Sequence, residues 1–179
     1  MSRAFITNIS FPKSLDEVLY FIEERGKFDV EEVMTADYVE WTAPKDSKIG
    51  DTAFFMHSKT SIDTIRYLRK ELKLNKNEID PSLFTVLINT LNDGEKLYSE
   101  IGESIFASGI VCGEIITDDI AIKDGLHWHS QYYAPINKIS LIKPPIHIDE
   151  FRGFITISRT GAMTKLNAEQ ELGLIDLRA

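Results

Sequence analysis

Cysteine is almost missing from this sequence: Cys112 stands alone among 179 residues. No disulfide framework can form within the chain, and a reducing compartment is the simplest setting. Cys112 sits in the apolar run IFASGIVCGEII and reads as a small core residue rather than a nucleophile. Long hydrophobic runs are missing too. No stretch approaches the roughly 20 apolar residues that cross a bilayer, and MSRAFITNISFPK lacks a continuous apolar segment. The expectation is a cytoplasmic protein with no membrane partner. A surplus of positive charge is also lacking: 20 Lys and Arg face 28 Asp and Glu, a net charge of −8. That excludes broad, non-specific polyanion binding, so any nucleic-acid role must rest on a local site.

Common catalytic signatures are missing as well. There is no Gly-x-Gly-x-x-Gly, no Gly-Lys-Ser/Thr, no His-Glu-x-x-His, no Cys-x-x-Cys and no Gly-x-Ser-x-Gly. No cofactor is expected.

What is present is a chain rich enough in apolar residues, 43%, to bury a core. Ala4–Thr7 reads as a strand. Ser14 and Glu17 have capping-box spacing, and Leu15, Val18, Leu19 and Ile22 follow on one helical face, with Gly26 as its stop. Tyr38–Thr42 and Thr52–His57 read as strands, the second without alternation and so buried on both faces. Ile62, Ile65, Leu68 and Leu72 form a second helical stripe. Asp80-Pro81 opens a third helix, with Leu83, Phe84, Leu87, Ile88 and Leu91 on its apolar side. Gly94 weakens that helix and sets Glu95–Ile101 apart as a turn or continuation; Gly102 ends it.

Extended structure then returns. Ser104–Ile116 reads as a long strand whose glycines, 109 and 113, suggest bulges or close backbone approach. Leu126–Ile142 is extended and broken by Pro135, and Pro144-Pro145 stops pairing. Ile155–Ser158 reads as a last short strand, and Asn167 to Gln170 opens a final helix carrying Leu172 and Ile175. Strands and helices do not alternate strictly, which argues against a doubly wound sheet. The expected class is α+β: a curved, mostly antiparallel sheet or partial barrel with flanking helices. One domain is expected over 1–179, with an N-terminal strand and helix at 1–29 and a helical insertion at about 61–102.

Candidate functional residues cluster at strand ends. His127 and His129 share a face if extended and could meet one metal ion, but no further ligand is marked by spacing; surface or hydrogen-bonded histidines are the expected reading. Trp41 and Trp128 adjoin polar residues, and either could stack on a planar ligand. His57, Ser58 and Lys59 close an apolar strand just before a helix; Ser58, Thr60 or Ser61 could cap that helix, and the strand end could offer donors to a ligand. Phe106 and Ser108 share a face if their strand is regular. Arg159 and Lys165, either side of Thr160-Gly161, are candidate phosphate contacts.

In order along the chain, these pieces resemble a known family. Trp41, a polar loop, Gly50-Asp51 and TAFFMHS resemble the opening of PUA-like domains of the EVE type, relatives of ASCH and YTH domains. IFASGIVCGEI, YYAPINKISLIKPPIHIDEF and FITISRTGAMTKLNAEQ resemble the strands and closing helix that follow. The Gly-x-Lys-x-x-Glu-x-Arg stretch of ASCH domains is not found. The resemblance implies a small barrel that binds RNA or a modified DNA base, in some relatives alongside a nuclease partner. It implies a non-catalytic pocket in which Trp41 and Trp128 stack, His57, Ser58, Lys59, Phe106 and Ser108 line the base, and Arg159 and Lys165 position phosphate. The alternatives are a small hydrolase, ASCH-like or dependent on a metal held by His127 and His129, and a protein-interaction module.

Overall fold

The computed structural model describes residues 3–25, 32–58, 60–117, 132–157 and 163–178. The chain divides into two compact units. One comprises Met1–Ile9, Val33–Met56 and Glu103–Ala179; the other comprises Ser10–Glu32 and His57–Gly102.

The first unit is a curled sheet of α+β type. Its strands are β1 (Ala4–Ile9), β2 (Tyr38–Thr42), β3 (Thr52–His57), β4 (Ser104–Val111), β5 (Ile116–Thr117), β6 (Tyr132–His147) and β7 (Met163–Leu166). They lie in the order β2-β6-β4-β3-β1-β7, with β5 also on β6. The pairings of β1 with β7, β2 with β6, β3 with β4, and β6 with both β4 and β5 are antiparallel. β3 is buried along both faces, as its unbroken apolar run predicts. Ala4, Ile6, Phe54, Met56, Ile105, Ile146 and Leu166 pack on one face with Phe151 and Leu174. Those last two come from short helices, α5 (Ile148–Phe151) and α6 (Ala168–Asp176). Alternation sends Phe5 and Phe55 to the opposite face, where Phe55 meets Phe106 with ring centroids 6.5 Å apart.

Two expectations about β6 need correction. The strand runs through Pro135 and on past Pro144 and Pro145 to His147. It tolerates the later prolines because its register against β4 jumps: Ala107 opposes Leu141, while Ile105 opposes Ile146. The intervening residues bulge out of the ladder, where a missing N–H costs nothing. Pro135 acts on the neighbour instead. Its carbonyl accepts from Cys112 N–H, but it has no N–H to return, and there the run expected from Ser104 to Ile116 splits into β4 and β5. The strand expected at Ile155–Ser158 is also absent over 155–157, and the last strand is β7. In α6 the buried leucine is Leu174, while Leu172 and Ile175 are exposed. Asn167 caps that helix reciprocally with Gln170, as its spacing predicts.

Arg178 closes this unit's end. Its guanidinium donates to both Glu150 oxygens (2.9 and 2.8 Å) and to the carbonyls of Pro144 and Pro145. A forked donor set of this kind is not reproduced by an ammonium. Arg178→Lys should therefore lower the melting midpoint nearly as much as Arg178→Ala, by about 2–4 °C in differential scanning calorimetry. Full recovery with lysine would show that charge alone matters.

The second unit is helical: α1 (Leu15–Arg25), α3 (Thr60–Leu74), a short 3-10 turn (Lys76–Glu78) and α4 (Pro81–Ile101). The one-turn helix α2 (Glu32–Thr35) lies at the division between the units. Phe11, Val18, Ile65, Leu68, Leu72, Leu87, Leu91 and Tyr98 form its core, joined by Leu15, Leu19, Ile22, Ile62, Leu83, Phe84 and Ile88. These are the stripes read from the periodicity. Asp80 caps α4 through Ser82 and Leu83 N–H, with Pro81 at the first position. Gly94 does not interrupt α4. A Cβ there would lie 2.9 Å from Phe11 Cε2, so the position is glycine to admit that ring. Gly26 lies outside the described residues. Among the described residues, no helix is long and apolar enough to cross a membrane.

Candidate nucleic-acid interface

The residues picked out by sequence meet different fates. Trp41 is half-buried on β2, and its indole N–H donates to Asn8 O at 3.5 Å. Phe106 is 1% exposed and belongs to the packed interior. It lies in the stretch where the β4 register shifts, so it does not share a simple alternating face with Ser108. Ser108 is half-buried and stands opposite Phe54 and Ser140. Ser58 pairs its hydroxyl with that of Thr60 at 2.8 Å. Ser61, expected as a helix cap, instead accepts from Phe11 N–H at 3.0 Å. Lys165 is exposed, but Asp46 holds its ammonium at 3.0 Å. Lys59, His127, Trp128, His129 and Arg159 lie outside the described residues. No group of three or more metal-ligating side chains occurs among the described residues.

His57 corrects a local reading. A histidine ending a strand beside Ser and Lys looks solvent-facing. It is 1% exposed, and its ring meets Tyr98 edge-on with centroids 4.5 Å apart. Burial lowers its pKa from 6.5 to about 3, so the imidazole is neutral at ordinary pH. Burial also pushes the Tyr98 hydroxyl upward, against the opposing effect of its hydrogen bond with Ser61. A sealed neutral histidine presents no edge to a ligand.

Among the described residues of the first unit, the loop between β2 and β3 brings exposed cations beside an aromatic ring. β2 pairs with β6 up to Thr42 opposite Tyr133, and Ala43 N–H still donates to Tyr132 O at 3.2 Å. Where that ladder ends, the chain turns and carries Lys45 over the Tyr132 ring, Nζ 5.7 Å from its centroid. Lys45, Ser47, Lys48 and Ile49, with Gly113, Glu114 and Ile115, line an open depression of about 450 Å³. This falls within the size range of small-ligand sites, about 300–1,000 Å³. The Ser47 hydroxyl is buried without a hydrogen-bond partner among the described residues.

The loop is held from below by Asp51. Its carboxylate accepts from Arg3 N–H (3.1 Å) and Lys48 N–H (2.9 Å). Gly50 precedes it at φ +98°, a conformation that favours glycine. This explains the Gly-Asp pair ahead of the apolar strand: glycine makes the reversal and aspartate staples it. Asp46, on the same loop, takes Lys165 and also Arg3 at 2.7 Å. The hydrogen bond from Lys165 is the main reason its carboxyl sits below its ordinary value, with both cations adding attraction.

Lys45, Lys48 and Tyr132 were not singled out by sequence. Two lysines bracketing Asp-Ser just after Trp41-Thr42 were the available signal. Their meeting with Tyr132 depends on strand pairing across the chain.

No family model and no curated protein sequence matches the chain. Two solved structures are similar across nearly all of it. One is protein Atu2648 from Agrobacterium tumefaciens, with a TM-score of 0.49 and 12% identity, covering 99% of this chain and 94% of that one. The other is an ASCH protein from Zymomonas mobilis, with a TM-score of 0.43 and 9% identity, covering 98% and 96%.

Proposed function

We propose that this chain is a single PUA-like, EVE-type binding domain that reads a base, in its sharpest form a modified base or nucleotide in a nucleic acid, without catalysing a reaction. The observation that carries this reading is the Lys45–Tyr132 pair beside Lys48, on the loop that leaves the Trp41 strand. A flat heterocycle needs an aromatic neighbour, a donor or acceptor for its edge, and a cation for the adjoining phosphate. This loop supplies the cations, next to Tyr132 and at the end of the strand that carries Trp41. The ordered resemblance of the strand motifs to EVE-type domains points the same way.

In this reading Trp41 and Tyr132 flank the base, and Lys45 and Lys48 take phosphate oxygens. Lys165 serves phosphate less directly, since Asp46 already engages it.

The test is fluorescence anisotropy with matched oligonucleotides, plain and carrying a modified base. Stacking is worth about 1–3 kcal/mol per base, so Trp41→Ala should weaken binding about tenfold or more. Lys45→Ala should weaken plain and modified oligonucleotides alike, as a phosphate contact does. Tight binding that survives Trp41→Ala unchanged would remove Trp41 from the site.

A further inference from the structure

Helix α3 carries a feature that the loop site does not use. Arg66, Arg69, Lys70 and Lys73 stand at positions i, i+3, i+4 and i+7, the spacing of one helical face. Together with Leu74 they line an open depression of about 390 Å³. Glu95 of α4 is the one carboxylate shown paired with them: it accepts from Arg66 Nε at 3.3 Å and from Arg69. Lys70 and Lys73 are exposed and make no ion pair among the described residues. Two further carboxylates of the helix lie close to the stripe: exposed Asp63, a turn before Arg66, and half-buried Glu71, next to Lys70. Glu95 thus pairs with the two arginines and leaves the two lysines without an ion pair among the described residues, in a chain whose net charge is −8.

The flank of the stripe carries Tyr67 and Leu74, with the half-buried Glu71 between them. Tyr67 is 64% exposed and Leu74 77% exposed. Tyr67 lies three residues before Lys70 and Leu74 four after it, so the three are neighbours on the helix surface. The opposite face, Ile65, Leu68 and Leu72, is locked in the core, so this helix cannot roll to bury Tyr67. A row of cations with an exposed ring beside it matches the chemistry of a single-stranded nucleic-acid track, in which phosphates meet the cations and a base stacks on the ring. An acidic protein segment would use the cations but leave the tyrosine idle.

We infer that the exposed face of α3 is a sequence-independent contact for a single-stranded nucleic-acid backbone. Arg66, Lys70 and Lys73 take phosphates, Tyr67 stacks a base, and Glu95 holds the two arginines in place. This surface is independent of the β2–β3 loop reading and stands or falls without it.

The experiment uses the full chain and labelled oligo(dT) across a salt series. Each phosphate contact on a single strand contributes about 0.7 to the slope of log K against log salt. Lys70→Glu combined with Lys73→Glu should lower that slope by about 1.4 and weaken low-salt binding by about tenfold or more. Tyr67→Ala should cost about fivefold. In wild-type protein, oligo(dT) should protect Lys70 and Lys73 from acetylation, read by mass spectrometry, which needs no variant to fold.

An unchanged slope in the double variant, with a native melting midpoint, overturns the inference. Protection confined to Lys45 and Lys48 overturns it too, while leaving the loop reading intact. Poly-glutamate binding as tightly as oligo(dT), with the same loss in the double variant, would replace the nucleic acid with an acidic protein partner and likewise overturn it.

Discussion

Lowering the pH from 7 to 5 should destabilise this protein by about 2 kcal/mol through His57 alone. The imidazole has a pKa of about 3 in the folded protein and 6.5 as its ordinary value. The unfolded chain therefore takes up a proton near pH 6.5, whereas the folded chain does not until far lower. Stability from this group is fully present above pH 6.5 and is lost as pH falls towards 3, at up to about 1.4 kcal/mol per pH unit. Asp46, Glu95 and Glu150 run in the same direction, because their carboxyls are held below ordinary values. The main cause is a hydrogen bond from Lys165 for Asp46, Arg69 for Glu95 and Arg178 for Glu150. Their contribution is lost only as pH falls into and below the usual carboxylate range, so these three carboxylates add little between pH 7 and 5.

Urea unfolding followed by far-UV circular dichroism at closely spaced pH values measures this effect. His57→Leu should flatten the dependence between pH 7 and 5, whatever it does to absolute stability. A wild-type slope that persists in His57→Leu would assign the pH dependence to another group. The effect is large because the ring is sealed against Tyr98, so a proton on it would have to be buried as a charge.

Replacing Asp51 with alanine should cost about 3 kcal/mol, since it orphans two backbone donors bonded to a charged acceptor. Asp51 is 4% exposed, and its two carboxylate oxygens serve Arg3 and Lys48 separately. Its own backbone joins the same knot: Asp51 N–H donates to Lys48 O, and Val111 N–H donates to Asp51 O. The aspartate thus ties β1, the β2–β3 loop and the end of β4 together. Asp51→Asn keeps one acceptor and should fall between wild type and alanine in thermal melts. The same series tests the loop's role, because Lys48 hangs from this knot. Asp51→Asn should weaken oligonucleotide binding more than its modest loss of stability suggests. Equal melting of all three proteins would show that water satisfies those donors.

Much of the helical unit was legible in the residues. The stripes through Leu15–Ile22, Ile62–Leu72 and Leu83–Leu91 became its core because a helix has one repeat and each stripe needs a partner. The caps at Asp80 and Asn167 followed from side chains that bond their own neighbours. The sheet was harder to read. Pro144 and Pro145 look like terminators until a register jump gives them room, and that jump is set by β4, not by β6. Gly94 looks like a weak point until Phe11 fills the space beside it. The cations of α3 have helical spacing in the sequence, but apolar periodicity alone does not register a charged face.

The sequence by itself determined where helices begin, which faces they bury, that β3 is covered on both sides, and that no bulk positive charge drives binding. Those properties depend on residues a few positions apart. Tertiary structure alone decided that His57 is sealed by Tyr98, that Lys45 lies over Tyr132, and that Asp51 anchors Arg3. Each of these joins groups distant in the chain, and their meeting depends on strand register and helix packing, which no local pattern encodes.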